Sequence, residues 1–297
     1  MEGRDGHVFP GLVFCIIGLW HLYNHIKNHA THKSYISVPW FPTSFSRYLE
    51  LYLILTGSSI YSFAELHRRL WDHDGAFLAI DLHNLEHVCI AMSFFLHALL
   101  AILFDKAHPK PKDYIHMGHF LAALAFAQEL LLFHFHSTDH IGLEGQYHWL
   151  LQKVVFMCLV TTLLSIWMPK SFMVSYIRSL GVTLQGLWLL AMGFMLFTPS
   201  LAPKGCSLRK DDRLVHNMVI KCDDQESLDR GKALVNILFS CFLTAVMAFG
   251  AVLYMVVNKA IGGSEQREDG AAGECKMEDK QGFLCEKRFV PIALEDL

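Results

Sequence analysis

Charge is what this chain has least of. Lys, Arg, Asp and Glu make up 18% of its 297 residues against 53% hydrophobic, where soluble domains average about 25% charged. A soluble globular domain is therefore excluded, and a bilayer is the natural solvent. The formal net charge of −3 leaves no basic surplus to neutralise a phosphate backbone, so nucleic acid is set aside as a partner. No CxxC pair occurs among the eight Cys, which removes zinc-ribbon and thioredoxin-type readings. A Ser elbow, a P-loop, a dinucleotide fingerprint and an HExxH motif are also missing, so any chemistry must be assembled from distant residues.

Long apolar runs, by contrast, are abundant. They predict an all-α polytopic membrane protein, a seven-transmembrane-helix bundle over residues 1–258 with spans at about 8–27, 47–65, 81–104, 114–136, 144–168, 172–197 and 232–257. Runs of this length cross about 30 Å of hydrocarbon at 1.5 Å per residue. The first run could pass for a signal peptide, but Glu2, Arg4 and Asp5 precede it and no small-residue cleavage site follows. It is expected to be retained. Residues 259–297 are charged and rich in Gly and Glu, which predicts a disordered tail.

Orientation follows from the loops. The tail, the Lys-rich turn after the third span, the first connector and the turn after the fifth span hold most of the Lys and Arg. The positive-inside rule then puts the C-terminus in the cytoplasm of an integral, multi-pass protein of an endomembrane or the plasma membrane. The polar loop 198–229 falls on the opposite side, where a Cys206–Cys222 disulfide is permitted and predicted. Cys15, Cys89, Cys158 and Cys241 lie in apolar runs and read as small hydrophobes. The partners implied are the lipid bilayer, a second copy of the chain in a homodimer, and a tail-binding protein.

Eighteen His are the compositional outlier. The stretch 126–152, FAQELLLFHFHSTDHIGLEGQYHWLLQ, sets Glu and His between two apolar segments, and an ionisable group at that depth is by default a site hypothesis. Gly142 and Gly145 predict a turn between two helices near 137–142, with Glu144, His148 and Gln152 stacked at i,i+4 on the second. On the third span His83, Glu86, His87 and His97 share one stripe. The candidate metal ligands are His87, Glu129, His136, His148 and Glu86, for a divalent metal with zinc favoured by the imidazole and carboxylate donors. Glu129 and Glu144 are the candidate catalytic residues, moving the proton of a metal-bound water in hydrolysis of a lipid or amide. Two alternatives use the same residues: a proton or ion transporter, or a non-enzymatic scaffold whose helices they orient.

Other positions read as structural. Arg47 and Glu50 are expected to pair at i,i+3 at the start of the second span. Gln185 is expected mid-bilayer, where its amide needs a partner, beside a Gly186 that allows close helix approach. His21, His25, His29 and His32 are read as interfacial, His97 as a bonded helix contact, His134 as facing away from the Glu129 stripe, and His216 as solvated.

Five segments taken in order, GHVFPGLVFCIIGLW, YLELY, HNLEH, QELLLFHFHSTDHIGLEGQYHWLLQ and LQGLW, resemble the transmembrane protein 45 family. That family shares the domain of unknown function 716, and the HNLEH and HSTDHIGLEGQYHWLLQ wording is similar to its plant branch. The resemblance runs from Gly6 to about Asn258. It implies a seven-helix membrane protein with recurring polar positions at Glu50, His87, Glu129, His136, Glu144, His148 and Gln185. It also implies that Asp stands for Glu144, and a second His for Glu86, in animal members, which preserves metal or proton binding at both places.

Overall fold

The structure, a computed structural model, describes the backbone of residues 4–32, 34–72, 79–107, 111–139, 142–210 and 218–278, and the side chains of 4–32, 34–67, 85–107, 115–135, 142–209 and 219–262. Seven helices follow in order: α1 (Arg4–Thr31), α2 (Leu49–Asp72), α3 (Ala79–Ala107), α4 (Pro111–Asp139), α5 (Leu143–Trp167), α6 (Phe172–Met195) and α7 (Gln225–Glu278). Among the described residues, six of these are long and apolar enough to cross a membrane, and the chain is a multi-pass membrane protein. The remaining one, α2, has 24 residues but is less apolar than the others. Thr56 and Ser59 on it turn their hydroxyls back to the carbonyls of Tyr52 and Leu55, which satisfies those groups within the helix.

Helices α1 to α6 form a ring. Each of α2 to α6 packs against its neighbours in the chain, and α6 closes the circle through the most extensive interface in the protein, that with α1. Only α1 and α2 touch sparsely. The seventh helix lies outside the ring against α1, α5 and α6, where Phe239 and Phe242 meet the edges of the fully buried Trp188 ring.

The α1–α6 seam is made of small residues. On α1, Gly11, Cys15 and Gly18 recur at intervals of four and three and are buried, one narrow stripe of the helix. A Cβ on Gly18 would lie 2.5 Å from the Thr183 backbone nitrogen, and one on Gly186 would lie 2.7 Å from the Gly11 carbonyl oxygen. Backbone therefore meets backbone here, as the LQGLW segment led one to expect of Gly186. Dispersion at this range is what holds helices together in lipid, where no hydrophobic drive remains.

In the sequence the connector between α1 and α2 reads only as a His-rich, aromatic loop among those that hold the Lys and Arg. Instead it folds into the end of the ring: Tyr35, Ser37, Trp40 and Phe41 are all buried, and the Ser37 amide donates to the Pro169 carbonyl at 2.7 Å. At the other end α4 gives way to α5 through Gly142, whose φ of 90° suits glycine,. This is the turn predicted between the two helices.

The loop 198–229, read as simply polar, contains a two-stranded hairpin, β1 (Cys206–Lys210) and β2 (Met218–Cys222), with Cys206 and Cys222 opposite one another and joined by a disulfide. Asp224 caps α7 by accepting from the Ser227 amide at 2.7 Å, a bond that holds its carboxyl below the usual range. Beyond Asn258 the helix continues to Glu278 rather than stopping where the tail was expected to begin. Propagating an existing helix fixes one residue per added bond and costs far less than starting one. The tail expected to bind a partner was residues 259–297, of which 279–297 lie outside the described residues.

Closing a loop of about 15 residues by a disulfide stabilises by about 3 kcal/mol in the chain-entropy account. Cys206→Ser should therefore leave the helices in place and speed proteolytic cleavage within 198–224, and reductant should do the same to the unaltered protein. Equal cleavage rates would show that the hairpin holds without its bridge.

Candidate functional site

Glu50 stands in the first turn of α2 and is buried. Its Oε2 accepts from Trp20 Nε1 at 3.1 Å and from the Phe41 amide at 2.9 Å, and its Oε1 lies 2.6 Å from His21 Nε2. Three contacts from α1 and the connector thus converge on one carboxylate. Arg47, expected to pair with Glu50, turns instead to Asp105 on α3, with Nε 2.8 Å from Oδ2 and Nη2 3.0 Å from Oδ1. A guanidinium prefers this two-pronged grip on a carboxylate, and both Glu50 oxygens are already engaged from α1 and the connector.

The second cluster surrounds Arg178 on α6, 5% exposed. Its Nη1 donates to His119 Nδ1 at 2.9 Å and Ser165 Oγ at 3.1 Å, and its Nη2 donates to His25 Nε2 at 3.1 Å and the Val38 carbonyl at 3.1 Å. Arg can only donate, so both imidazoles present lone pairs to it and carry their protons on the far nitrogens. His25 Nδ1 therefore donates to Tyr35 Oη at 2.7 Å, and His119 Nε2 donates to the Ser37 carbonyl at 3.3 Å. Burial raises the Tyr35 hydroxyl to about 12, against the hydrogen bonds of Ser175 and Ser37, so the phenol keeps its proton at any physiological pH. No carboxylate touches Arg178 among the described residues; its charge is offset by Glu50 at longer range.

Above this floor the ring encloses a cavity of about 160 Å³. One stripe of α1, from Gly6 through Phe9, Val13 and Ile17 to His21, lines it, a length of about 22 Å at 1.5 Å per residue. The walls are largely apolar, with Phe94, Phe126 and Phe133 from α3 and α4. Polar side chains gather toward the floor: His21, Glu50, His97, His119 and Arg178. The sparse α1–α2 contact makes this the least closed side of the ring. Tyr61 stacks on Phe9 and donates to the Gly6 carbonyl at 3.4 Å, while Trp20 and His21 hold Glu50 at the opposite end. Between these two clasps a Cβ on Gly57 would find only Val13 Cγ2, 3.8 Å away.

The residues expected to form a site between α3, α4 and α5 take several different partners. Glu129 is buried but turned toward α6, where its Oε1 accepts from Gln185 Nε2 at 2.7 Å. That pairing answers the mid-bilayer need of Gln185, and it leaves Glu129 Oε2 and Gln185 Oε1 without partners among the described residues. His148 is buried with Nδ1 3.0 Å from the Glu144 carbonyl, and its ring lies edge-on to His7 of α1 at 5.7 Å. Glu144 and Glu86 are half-buried, and His87 lines the cavity. The His136 side chain lies outside the described residues. Among the described residues no group of three or more His, Cys, Asp or Glu is arranged to hold a metal, so nothing among them supports the divalent metal and zinc expected. Glu129 and His148 take partners on different helices.

Other readings also change. His21 and His25 are core groups rather than interfacial ones. His97, expected to be bonded, is 7% exposed and makes no hydrogen bond among the described residues. His134, read as facing away from the Glu129 stripe, is exposed while Glu129 is buried, in keeping with that reading. Arg178 and His119 carried no signal in the sequence beyond being polar within apolar runs.

Residues 115–255 match the family of unknown function DUF716. The DUF716 segment covers α4 to α7 up to Met255, and so contains His119, Glu129, Arg178, Gln185 and the disulfide. The partners of these groups on α1, on α2 and in the connector lie outside the matched stretch.

Proposed function

We propose that this membrane protein takes a long apolar molecule from the bilayer into the ring cavity through a window between α1 and α2, and holds its polar end against the floor. The observation that carries this is the cavity itself, a largely apolar passage about 22 Å long with His21, Glu50, His97, His119 and Arg178 gathered at one end and Tyr61, His87 and Glu129 elsewhere on its walls. Ligand pockets are characteristically apolar with a few convergent polar groups that fix orientation.

Proton or ion passage would draw on the same polar residues, but Phe9, Val13, Phe94 and Phe133 offer an ion no coordination, so the apolar walls favour hydrocarbon. Hydrolysis of a lipid or amide would need a nucleophile beside the floor and finds no metal-binding group among the described residues. The basic loops at the connector end and the disulfide at the other support a cytoplasmic C-terminus, in an endomembrane or the plasma membrane. The five ordered segments quoted above support extending the DUF716 match to a plant-type kinship with the transmembrane protein 45 family. A scaffold role for the tail, a tail-binding protein and a homodimer stay compatible with this reading.

Gly57→Leu tests the proposal, because the new side chain enters open space in the window. Lipid extracted from the purified variant should show about tenfold less bound amphiphile than the unaltered protein, a difference of about 1.4 kcal/mol, at an unchanged melting temperature. Equal loading of the two proteins would reject the cavity as the binding place.

A further inference from the structure

We infer that the cavity selects an uncharged hydroxyl-bearing head, as in a monoacylglycerol or a long-chain alcohol, and that His97 is the residue that reads it. This rests on the reading that the cavity takes an apolar-tailed molecule, and it adds the chemistry of the polar end.

The argument is one of saturation. A charged head buried in low dielectric needs a counter-charge in contact. The floor has one group of each sign, and neither is free. The Glu50 oxygens are held by Trp20, His21 and the Phe41 amide, and the terminal nitrogens of Arg178 by His25, His119, Ser165 and Val38. A carboxylate head would compete with the ligands of the Arg178 terminal nitrogens, and an ammonium head with the three groups around Glu50. Each exchange orphans a buried polar group.

His97 is different. It lines the cavity, is 7% exposed, and makes no hydrogen bond among the described residues. A buried imidazole left without partners is rare and costs the desolvation of its polar atoms. A hydroxyl both donates and accepts, so it serves the ring nitrogen in either tautomer. Glu129, the other wall residue with an unpartnered atom, sits higher among Phe126 and Phe133. A second hydroxyl of a glycerol head can serve its Oε2 whether that oxygen donates or accepts.

Native mass spectrometry of the full chain in detergent, titrated with 1-monooleoylglycerol, oleate and oleylamine, separates the possibilities. The unaltered protein should bind monooleoylglycerol about tenfold more tightly than the two charged amphiphiles. His97→Phe should abolish that preference while all three tails still bind, and His97→Gln, which keeps a donor and an acceptor, should retain it. Equal binding of all three by the unaltered protein overturns the head-group inference and leaves the cavity reading intact. Binding of none overturns both. Preference for oleylamine that is lost in Glu129→Gln overturns the inference in favour of an amine paired with Glu129. If His97→Phe fails to fold, judged by gel filtration, the three-ligand comparison on the unaltered protein and on His97→Gln still decides.

Discussion

Arg178→Met should cost the folded protein about 3–5 kcal/mol, the scale for removing one partner from a buried charged network. A hydrogen bond in a membrane protein averages only about 0.6 kcal/mol, so a change such as Thr161→Val, which deletes one hydroxyl bonded within its own helix, should be nearly silent. Arg178 differs because its loss strands four acceptors at once, on α1, α4, α5 and the connector. Stranding a buried acceptor costs about 1–3 kcal/mol, more than the bond contributed. Arg178→Lys should fall between, since one ammonium cannot reach acceptors spread around a planar fork. Thermal unfolding in detergent checks the order; a melting temperature unchanged in Arg178→Met would mean the cluster contributes nothing to holding the connector in place.

Gly18→Val should be comparably damaging by an unrelated route. Its Cβ alone would stand 2.5 Å from the Thr183 nitrogen and 2.8 Å from the Thr183 Cα. These are backbone atoms and cannot rotate aside. Overpacking typically costs about 1–3 kcal/mol, and here the shift must propagate along the whole α1–α6 seam. Gly57→Val is the internal control, because the same substitution on α2 meets open space. Folded yield after detergent extraction should fall sharply for Gly18→Val and hold for Gly57→Val; similar yields would show that the seam is looser than its geometry.

The sequence carried the bundle because hydropathy over twenty residues is a local property, and the α4–α5 turn because Gly142 and Gly145 interrupt a helical period. Gln185 and Gly186 were legible for the same reason: an amide and a glycine side by side within an apolar run have few explanations in lipid. The floor was not legible. His21 and His25 looked interfacial because no carboxylate or cation shares their helix face, and their partners Glu50 and Arg178 come 29 and 153 residues later. Arg47 and Glu50 are well spaced for a helical pair, yet Asp105, 58 residues on, offers Arg47 a two-pronged grip and wins. The connector misled most. Its His and aromatic residues have the composition of an interface, and nothing local says that Tyr35 and Ser37 turn inward.

The order of neighbours in the ring has a bearing on how the protein is made. The main interfaces from α2 through α6 join consecutive helices, so each can dock on its predecessor as it leaves the ribosome. The α1–α6 seam must wait until about 170 further residues have been synthesised, as the Cys15 to Thr183 contact illustrates, and the docking of α7 on α1 waits longer still. Until then His25 has no guanidinium and the chamber has no wall. Lesions at Gly18, Gly186 or Arg178 therefore strike the final closure, and such chains should be inserted in full and then retained and degraded by quality control rather than stalled partway through insertion.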